Sequence, residues 1–306
     1  MRGLGPVKRL WGSLNLLLHR PTGVERNCCI YCGSKQIVVR RRRWLQLPYE
    51  IPKSAKPIAD QMHRRDNGRC KSCGLEQSFY VFSEAGRKQL YDFGLDVLSD
   101  DPRFGVYPPD PQFRKLIFDC TFSRRVPKWR HFFQTSGMAP IRRILVLRCF
   151  YGEVLEALRE WGEPDLWAKE MTHTCERFVK EHLSYVNVPT GNLAGRIELN
   201  FGNQNPKFDL IICMHTLTHS INIREDLDCL RTLLKPKGAI VFCDEITKKP
   251  HNPFHMIHLD EMKFVDILEE NFGHVDRIDD CGTLDPNVTP YTQKGDNPDL
   301  VAWAAE

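Results

Sequence analysis

The sequence lacks any apolar run approaching the roughly 20 residues needed to cross a membrane, so we predict no membrane-spanning helix. The N-terminal stretch MRGLGPVKRLWGSLNLLLHR also lacks the features of a signal peptide. Asn15 interrupts its short apolar part, and no small-residue cleavage site follows. No internal repeat is present. These absences argue against a membrane-spanning protein and a solenoid, and they favour a cytoplasmic location.

A disulfide framework is also missing, although the 306 residues include 12 cysteines. Such frameworks are typical of short secreted chains, and this chain is long and has no secretory signal. Most cysteines lie in apolar segments, such as Cys213 in DLIICM, where they act as small core side chains. The length and the 42% hydrophobic content predict one large domain and a smaller one.

Acidic residues are scarce at the N-terminal end. Residues 1–75 hold 16 Lys and Arg against 4 Asp and Glu, whereas the remainder holds 27 against 35. So basic a block predicts an anionic partner, namely phosphate groups, an anionic membrane surface or RNA. It is equally typical of a solvated face that offsets an acidic neighbour. Residues 1–25 fit a basic amphipathic helix that packs on the protein itself or lies peripherally on a membrane.

Two C-x-x-C-G motifs stand within residues 26–80. They supply Cys29 and Cys32 from NCCIYCGSKQ, and Cys70 and Cys73 from RCKSCGLEQ. Each pair can hold one side of a metal ion, and four thiolates complete the closed tetrahedral set of a structural Zn²⁺ site. The alternative is a pair of metal-free loops whose thiols pack. We therefore predict a zinc-binding module in which the metal supports the fold and takes no part in catalysis.

The run Arg40–Arg43 beside this module suggests a nucleic-acid alternative. Aromatic and imidazole rings that could stack on bases follow at Trp44, Tyr49 and His63. No helix pattern typical of base reading accompanies them. An RNA-binding or RNA-modifying protein is therefore kept as one of three functional hypotheses.

From residue 140 onward the chain alternates strand and helix patterns. Apolar runs predict strands, and helical spacing predicts helices at about 152–161, 173–183, 222–234 and 260–271. The predicted strands are RRILVL, LWAKEM, SYVNVP, FDLIICM, GAIVFCD and DLVAWAA. This alternation predicts a doubly wound, mostly parallel α/β sheet. The predicted division is a basic segment at 1–25, a zinc module at 26–80, a helical and loop-rich linker at 81–139, and a sheet domain at 140–306.

The order of these motifs resembles a family. Two cysteine pairs precede FDLIICMHTLTHSINIREDLDCLRTLLKPKGAIVF and PFHMIHLDEMKFVDIL, as in class I S-adenosylmethionine-dependent methyltransferases with an N-terminal zinc-binding module. The resemblance covers residues 26–305. It implies a Rossmann-like seven-stranded domain, and it implies methyl transfer from S-adenosylmethionine (SAM) to a small or carrier-linked acceptor, such as a phosphorylated or nucleotide-linked sugar.

The resemblance also implies the cofactor-binding residues. The cofactor loop runs from Val146 to Gly152 and includes Arg148 and Cys149. The acid that holds the ribose is Glu170, the adenine contact is Asn192 in Gly-Asn-Leu, and His215 follows the fourth strand. The family pattern Asp-x-Gly-x-Gly-x-Gly is matched here by the residues Val146, Arg148, Phe150 and Gly152. One glycine of three remains, which leads to the second hypothesis, an inactive methyltransferase-like binding or scaffold protein.

Histidines cluster where strands of this pattern end. His215 and His219 follow the fourth strand at i, i+4 spacing, which predicts one helical face, and His258 follows the fifth. Histidine titrates near neutral pH, so we predict that the catalytic base is one of these three. Asp244, Glu245 and His255 are weaker candidates.

Overall fold

The computed structural model describes residues 23–25, 27–40, 67–78, 80–82, 107–138, 140–193, 195–244, 256–279 and 298–304. Several residues singled out above lie outside these ranges: residues 1–22, Arg41, Arg42, Arg43, Trp44, Tyr49, His63, Glu245 and His255. Among the helices that are described, none has the length and apolar character to cross a membrane.

The elements follow one another along the chain. The strands are β1 (Gly23–Glu25), β2 (Ile37–Arg40), β3 (Asn67–Cys70), β4 (Glu76–Ser78), β5 (Tyr80–Phe82), β6 (Arg143–Leu147), β7 (Asp165–Lys169), β8 (Val186–Asn187), β9 (Thr190–Asn192), β10 (Glu198–Asn200), β11 (Phe208–Met214), β12 (Leu234–Cys243), β13 (Ile257–His258), β14 (Val275–Ile278) and β15 (Asp299–Trp303). The helices are α1 (Pro111–Thr121), α2 (Arg125–Thr135), α3 (Glu153–Arg159), α4 (His173–His182), α5 (Ile223–Leu233) and α6 (Glu261–Phe272).

The main sheet has seven strands in the order β14-β15-β12-β11-β6-β7-β8. Neighbours from β12 to β8 pair in parallel, whereas β15 runs antiparallel to both β12 and β14. The predicted mostly parallel, seven-stranded α/β sheet is therefore confirmed. From β6 the chain moves outward to β7 and β8, and then returns to the other side of β6 with β11. The order thus reverses between β6 and β11.

Both faces of the sheet are buried. In β6, Ile144 and Val146 join one hydrophobic cluster, and Leu145 and Leu147 join the other, as the two-residue period of a strand requires. The first cluster includes residues of α1 to α4. The second includes residues of α5 and α6 together with residues of the segment 26–80, which carries the two C-x-x-C-G motifs and is called the cysteine module below. Covered faces explain why these strands read as continuous apolar runs.

Three strand assignments need correction. The third strand ends at Asn187 and is followed by Pro189, which has no N–H to donate to a ladder. Asn192 therefore lies in a separate β9–β10 hairpin and not at the end of that strand. The strand β12 begins at Leu234, four residues before the predicted strand GAIVFCD, and the strand β14, with its partly exposed VDRI pattern, was not predicted.

The predicted linker contains two core helices. The cluster PPDPQF is a helix start, because Asp110 caps α1 by accepting from the Gln112 amide at 2.7 Å and Pro111 occupies the first turn. Phe113 of α1 and Trp129 of α2 are fully buried against the sheet. The helical part of the predicted segment 81–139 thus includes α1 and α2, and both helices pack on the sheet.

A buried polar network ties α2 to β15. Asp299 accepts from Arg125 Nε at 3.2 Å and from Trp129 Nε1 at 2.8 Å. All three side chains are buried. A guanidinium and an indole N–H removed from water need such a partner, so Asp299 specifies where α2 docks.

We predict that Asp299→Ala costs about 3–5 kcal/mol of unfolding free energy, because it leaves the Arg125 charge buried without its carboxylate. The matched control is Asp165→Ala, which removes a 2.6 Å pair with Arg143 between side chains that are each 37% exposed. It should cost about 1 kcal/mol or less. Denaturant unfolding measures both, and equal losses would contradict the role given to Asp299.

Candidate functional site

The four predicted metal-ligating cysteines lie together. The sulfur atoms of Cys29, Cys32, Cys70 and Cys73 are all within 4.8 Å of one another. Cys29 Sγ lies 3.6 Å from Cys73 Sγ, and Cys32 Sγ lies 3.6 Å from Cys70 Sγ. Sulfurs around a tetrahedral Zn²⁺ with bonds of about 2.3 Å lie about 3.8 Å apart. The four thiols therefore fit zinc, and zinc itself stays a prediction.

Two similar turns position these cysteines. Gly33 N donates to Cys29 O at 3.0 Å, and Gly74 N donates to Cys70 O at 2.9 Å. Both glycines have left-handed φ values of 71° and 78°, which side chains rarely adopt. Burial raises the pKa of the Cys29 thiol to about 11. A cation among the sulfurs would stabilise the thiolate that burial disfavours.

The module is a four-stranded sheet in the order β13-β4-β3-β2. Its strand β13 comes from the segment after β12 and therefore belongs to the sheet domain in sequence. The buried Gln77 of β4 connects the parts, accepting from Ile30 N at 2.9 Å and donating to Cys28 O at 3.1 Å. Ile257 pairs with Gln77 across the β13–β4 ladder.

The first cysteine turn also docks on two helices. Tyr31 is 4% exposed; its hydroxyl donates to Glu270 of α6 and accepts from Asn271 Nδ2 at 3.2 Å. Arg224 of α5 lies over the Tyr31 ring, 5.0 Å from its centre, and pairs with Glu270 at 2.9 Å. The cysteine module is therefore part of the packed molecule.

The module positions two of the predicted catalytic histidines. His258 lies in β13 and is buried, and His219 ends a 3₁₀ turn, Leu217–His219, that is also buried. Met256 N donates to Thr218 O at 2.7 Å, which holds β13 against that turn. The structure thus brings together the two segments that carry these histidines.

His215 does not share a helical face with His219, so that prediction is wrong. His215 has a left-handed φ of 46°, and the helical turn begins only at Leu217. Asp244 at the end of β12 holds this turn by accepting from the Thr218 amide and hydroxyl, both at 3.1 Å. Asp244 is therefore a structural acceptor for the turn.

The predicted cofactor loop follows β6 and keeps an unusual backbone. Arg148, Phe150 and Gly152 have φ values of 63°, 52° and 89°. Glycine occupies these three positions in the methyltransferase family that the sequence resembles. Arg148 and Phe150 therefore keep the left-handed backbone conformation that favours glycine, which costs about 1–2 kcal/mol at each residue.

The surviving glycine is required for packing. A Cβ atom at Gly152 would lie 2.2 Å from Leu183 Cδ1, which follows α4. Its missing side chain thus makes room for a core leucine. The rings of Phe150 and Phe122 pack edge-on with their centres 6.2 Å apart. The Phe150 side chain therefore packs towards the segment between α1 and α2. Cys149 is fully buried, and burial raises its pKa well above the usual value.

Arg148 reaches across the ends of two strands. Its backbone N–H donates to Lys169 O at 2.8 Å, and its guanidinium donates to the His215 carbonyl beyond β11. Burial, with Arg148 and Arg125 nearby, lowers the pKa of His215 to about 3. The imidazole is therefore neutral at physiological pH and a weak base.

Glu170 directly follows β7, where the family resemblance implies the ribose-binding acid. The side chain is 6% exposed, and burial raises its pKa to about 7 against the opposing effect of Arg148. Burial likewise raises the pKa of Asp244 to about 6, and Arg148 again opposes this. Two buried carboxyls and one arginine therefore share the C-terminal edge of the central strands.

A family model described as a methyltransferase domain matches residues 126–278, from α2 to the end of β14. The chain belongs to this methyltransferase family. The match begins within α2, which agrees with the packing of that helix on the sheet. The comparison with curated proteins finds no match.

Several solved methyltransferase structures are similar to this family member. The plantazolicin methyltransferase BpumL, in complex with a pentazolic desmethylPZN analog and SAH, has 14% identity over 64% of this chain and 92% of its own, with a TM-score of 0.47. Magnesium protoporphyrin IX methyltransferase (ChlM) from Synechocystis PCC 6803, with bound SAM, has 17% identity over 72% and 95%, with a TM-score of 0.46.

Sequence reasoning missed two positioning residues of this methyltransferase. Gln77 fixes the first cysteine turn to β13, and Tyr31 fixes it to α5 and α6. A glutamine in LEQSF carries no sequence signal of such a role. Tyr31 carries a weak one, because a large aromatic inside C-x-x-C points to a turn that is packed and not exposed.

We predict about one zinc per chain in protein purified without chelator. Cys70→Ser should lose the metal and destabilise the module, because three thiolates no longer close the tetrahedron. Cys28→Ser is the matched control, since Cys28 adjoins the first pair but lies outside the set of four. It should retain zinc. Elemental analysis of the three proteins decides, and metal-free wild-type protein would refute the site.

We also predict that stability falls as pH rises from about 4.5 to about 7, in part through Glu170. Burial raises its pKa in the folded protein to about 7, above the ordinary glutamate value of 4.5, so the folded state binds more protons in this window. Glu170→Gln should flatten the slope and stabilise the protein by about 1–3 kcal/mol at pH 8. Exposed Glu160→Gln is the control. Unfolding curves at several pH values test this, and parallel slopes for wild type and Glu170→Gln would contradict it.

Proposed function

We propose that this protein transfers a methyl group from SAM to a small or carrier-linked acceptor, such as a phosphorylated or nucleotide-linked sugar. Two neighbouring features carry the proposal. Glu170 is a buried acid directly after β7, and the loop after β6 keeps left-handed backbone at three alternate positions. Membership of the methyltransferase family supports the reaction class.

In this proposal Glu170 accepts hydrogen bonds from the ribose hydroxyls, and Asn192 contacts the adenine. When bound, SAM supplies a methyl group activated on a sulfonium. The residues of this chain bind and orient the two reactants and exclude water. A carboxylate is a better acceptor than a carboxylic acid, so cofactor affinity should rise as Glu170 ionises through pH 7.

The proposed base is His219 or His258. His219 lies in the 3₁₀ turn and His258 in β13, and these two segments lie against each other. His215 is a poorer candidate, because its pKa of about 3 makes it a weak base. We propose that the acceptor enters beside these two segments. The cysteine module would then form one wall of the acceptor site, since β13 belongs to its sheet.

We further propose a revised division of the chain. The zinc-binding module spans residues 26–80 and borrows β13, and the methyltransferase domain begins with α1 at Pro111 and not at residue 140. The basic segment of residues 1–25 and its anionic partner stay predictions, because nearly all of that segment lies outside the described residues.

One alternative has an observation in its favour. Arg148 places a guanidinium at the edge where the cofactor is expected, which supports a methyltransferase-like binding protein without catalytic activity. The RNA hypothesis has no comparable support, because Arg41, Arg42, Arg43 and the neighbouring rings are outside the described part of the chain.

Calorimetric titration with SAM and with S-adenosylhomocysteine (SAH) separates these functions. If the protein is an enzyme of this class, Glu170→Ala should weaken binding by about 1.5–3 kcal/mol, the loss expected for hydrogen bonds to a charged group. Exposed Glu160→Ala serves as the control and should bind like wild type. Absence of binding heat for both ligands at high concentration would favour the scaffold alternative.

A further inference from the structure

The crevice between the loops after β6 and β11 is where a ligand is expected. Strand order reverses at this point, because β7 and β8 lie on one side of β6 and β11 lies on the other. Open α/β sheets bind their ligands in such a crevice, outside the carboxyl ends of the strands. Any side chain that bridges these two loops therefore stands across the entrance.

Arg148 is such a bridge. It lies in the loop after β6, and its guanidinium donates to the His215 carbonyl in the loop after β11. Its charge acts on three neighbours: burial raises the pKa of Glu170 and of Asp244 and Arg148 opposes both shifts, whereas burial and Arg148 together lower the pKa of His215. The guanidinium is therefore lodged among the polar groups of the crevice, where it is half-buried.

The crevice suits one half of SAM and not the other. Glu170 provides a buried carboxyl for the ribose hydroxyls of a nucleoside. The amino-acid half needs open space beside the loop, and the loop offers none at Gly152, whose missing side chain is replaced by Leu183. At Arg148, where the family has a glycine, a long side chain crosses from one loop to the His215 carbonyl of the other.

We infer that Arg148 is a latch across this crevice, so that the site takes adenine nucleosides without an amino-acid tail more readily than SAM or SAH. This inference rests on the proposed function, because it assumes that the crevice is the cofactor site. The amino-acid tail can enter only when the guanidinium leaves the His215 carbonyl. The sulfonium of SAM meets an additional obstacle, since it carries the same charge as Arg148.

Competition between the Arg148 guanidinium and the amino-acid tail of the ligand can be measured as a change in affinity. A ligand that needs the open latch binds with an affinity reduced by the open fraction, so a latch open in about a tenth of molecules weakens binding about tenfold. A nucleoside that leaves Arg148 in place suffers no such loss. Removing the guanidinium should therefore strengthen the binding of SAH and SAM and leave a tailless nucleoside unaffected.

The test is calorimetric titration of the full chain with 5′-methylthioadenosine, SAH and SAM. We expect wild type to bind these ligands in that order of decreasing affinity. Arg148→Gly should gain about tenfold or more for SAH and SAM, with little change for methylthioadenosine. Glycine also accepts the φ of 63° at this position, so the variant should fold.

Two further variants secure the interpretation. Arg148→Ala removes the guanidinium but keeps a Cβ atom, and it should show the same gain. Glu163→Gly is the matched control, because Glu163 also has a left-handed φ, 52°, and is exposed in the loop before β7, at the other end of the strands. It should relieve backbone strain without changing any of the three affinities.

The outcomes separate the latch from the proposed function. If wild type binds SAH more tightly than methylthioadenosine and Arg148→Gly weakens or does not change SAH binding, the latch is refuted and the cofactor site stands. If neither wild type nor the Arg148 variants bind any of the three ligands, both are refuted. If only the Arg148 variants bind SAH and SAM, the latch is supported and unaided methyl transfer by wild type is refuted.

Discussion

Burial of a parallel sheet on both faces is the constraint on which the rest of this structure depends. Alternate residues of β6 and β11 point into two separate apolar clusters, and each cluster must be closed by something else in the chain. Four helices close one face, including the two that precede the first strand of the sheet. The cysteine module helps to close the other, together with α5 and α6. What looks like an appended N-terminal module is therefore part of the domain's core, and a metal site of four thiols becomes relevant to the packing of the whole molecule.

The same burial explains the electrostatics at the edge of the sheet. Glu170 and Asp244 directly follow the buried ends of β7 and β12 and are themselves buried, so their carboxyls lose hydration and their pKa values rise. Arg148 is the cation that moderates this cost. A loop that carried glycine at this position would leave both acids to be neutralised by protons or by a ligand. The arginine can thus stabilise the ligand-free protein and at the same time obstruct its site.

Much of this could be predicted from the sequence, because long apolar strands and amphipathic helices have strong local patterns. The strands β6, β7, β11, β12 and β15 and helices α3 to α6 were found within a few residues, as were the four clustered cysteines and the position of Glu170. Two of the failures involve proline, and the others have non-local causes. The start of α1 at PPDPQF was not predicted within the helical and loop-rich segment 81–139, because proline breaks helices internally but begins them well. The third strand was extended as far as Pro189. The i, i+4 spacing of His215 and His219 was interpreted as helical, although Asp244, 25 residues beyond His219, shapes that turn. The reach of Arg148 across to the His215 carbonyl has no signature in sequence spacing.

The β13–β4 ladder has a consequence for the order of assembly during synthesis. Gln77 is synthesised before any strand of the parallel sheet, but its partner Ile257 emerges only after the whole parallel sheet has been translated. Until β13 has been synthesised, the β4 edge of the cysteine module has no partner strand. An unpaired edge of this kind is prone to pair with strands of other chains. Early capture of a metal ion would hold the two cysteine turns together during this interval. A sheet whose first strands are synthesised before the parallel sheet is then completed after it.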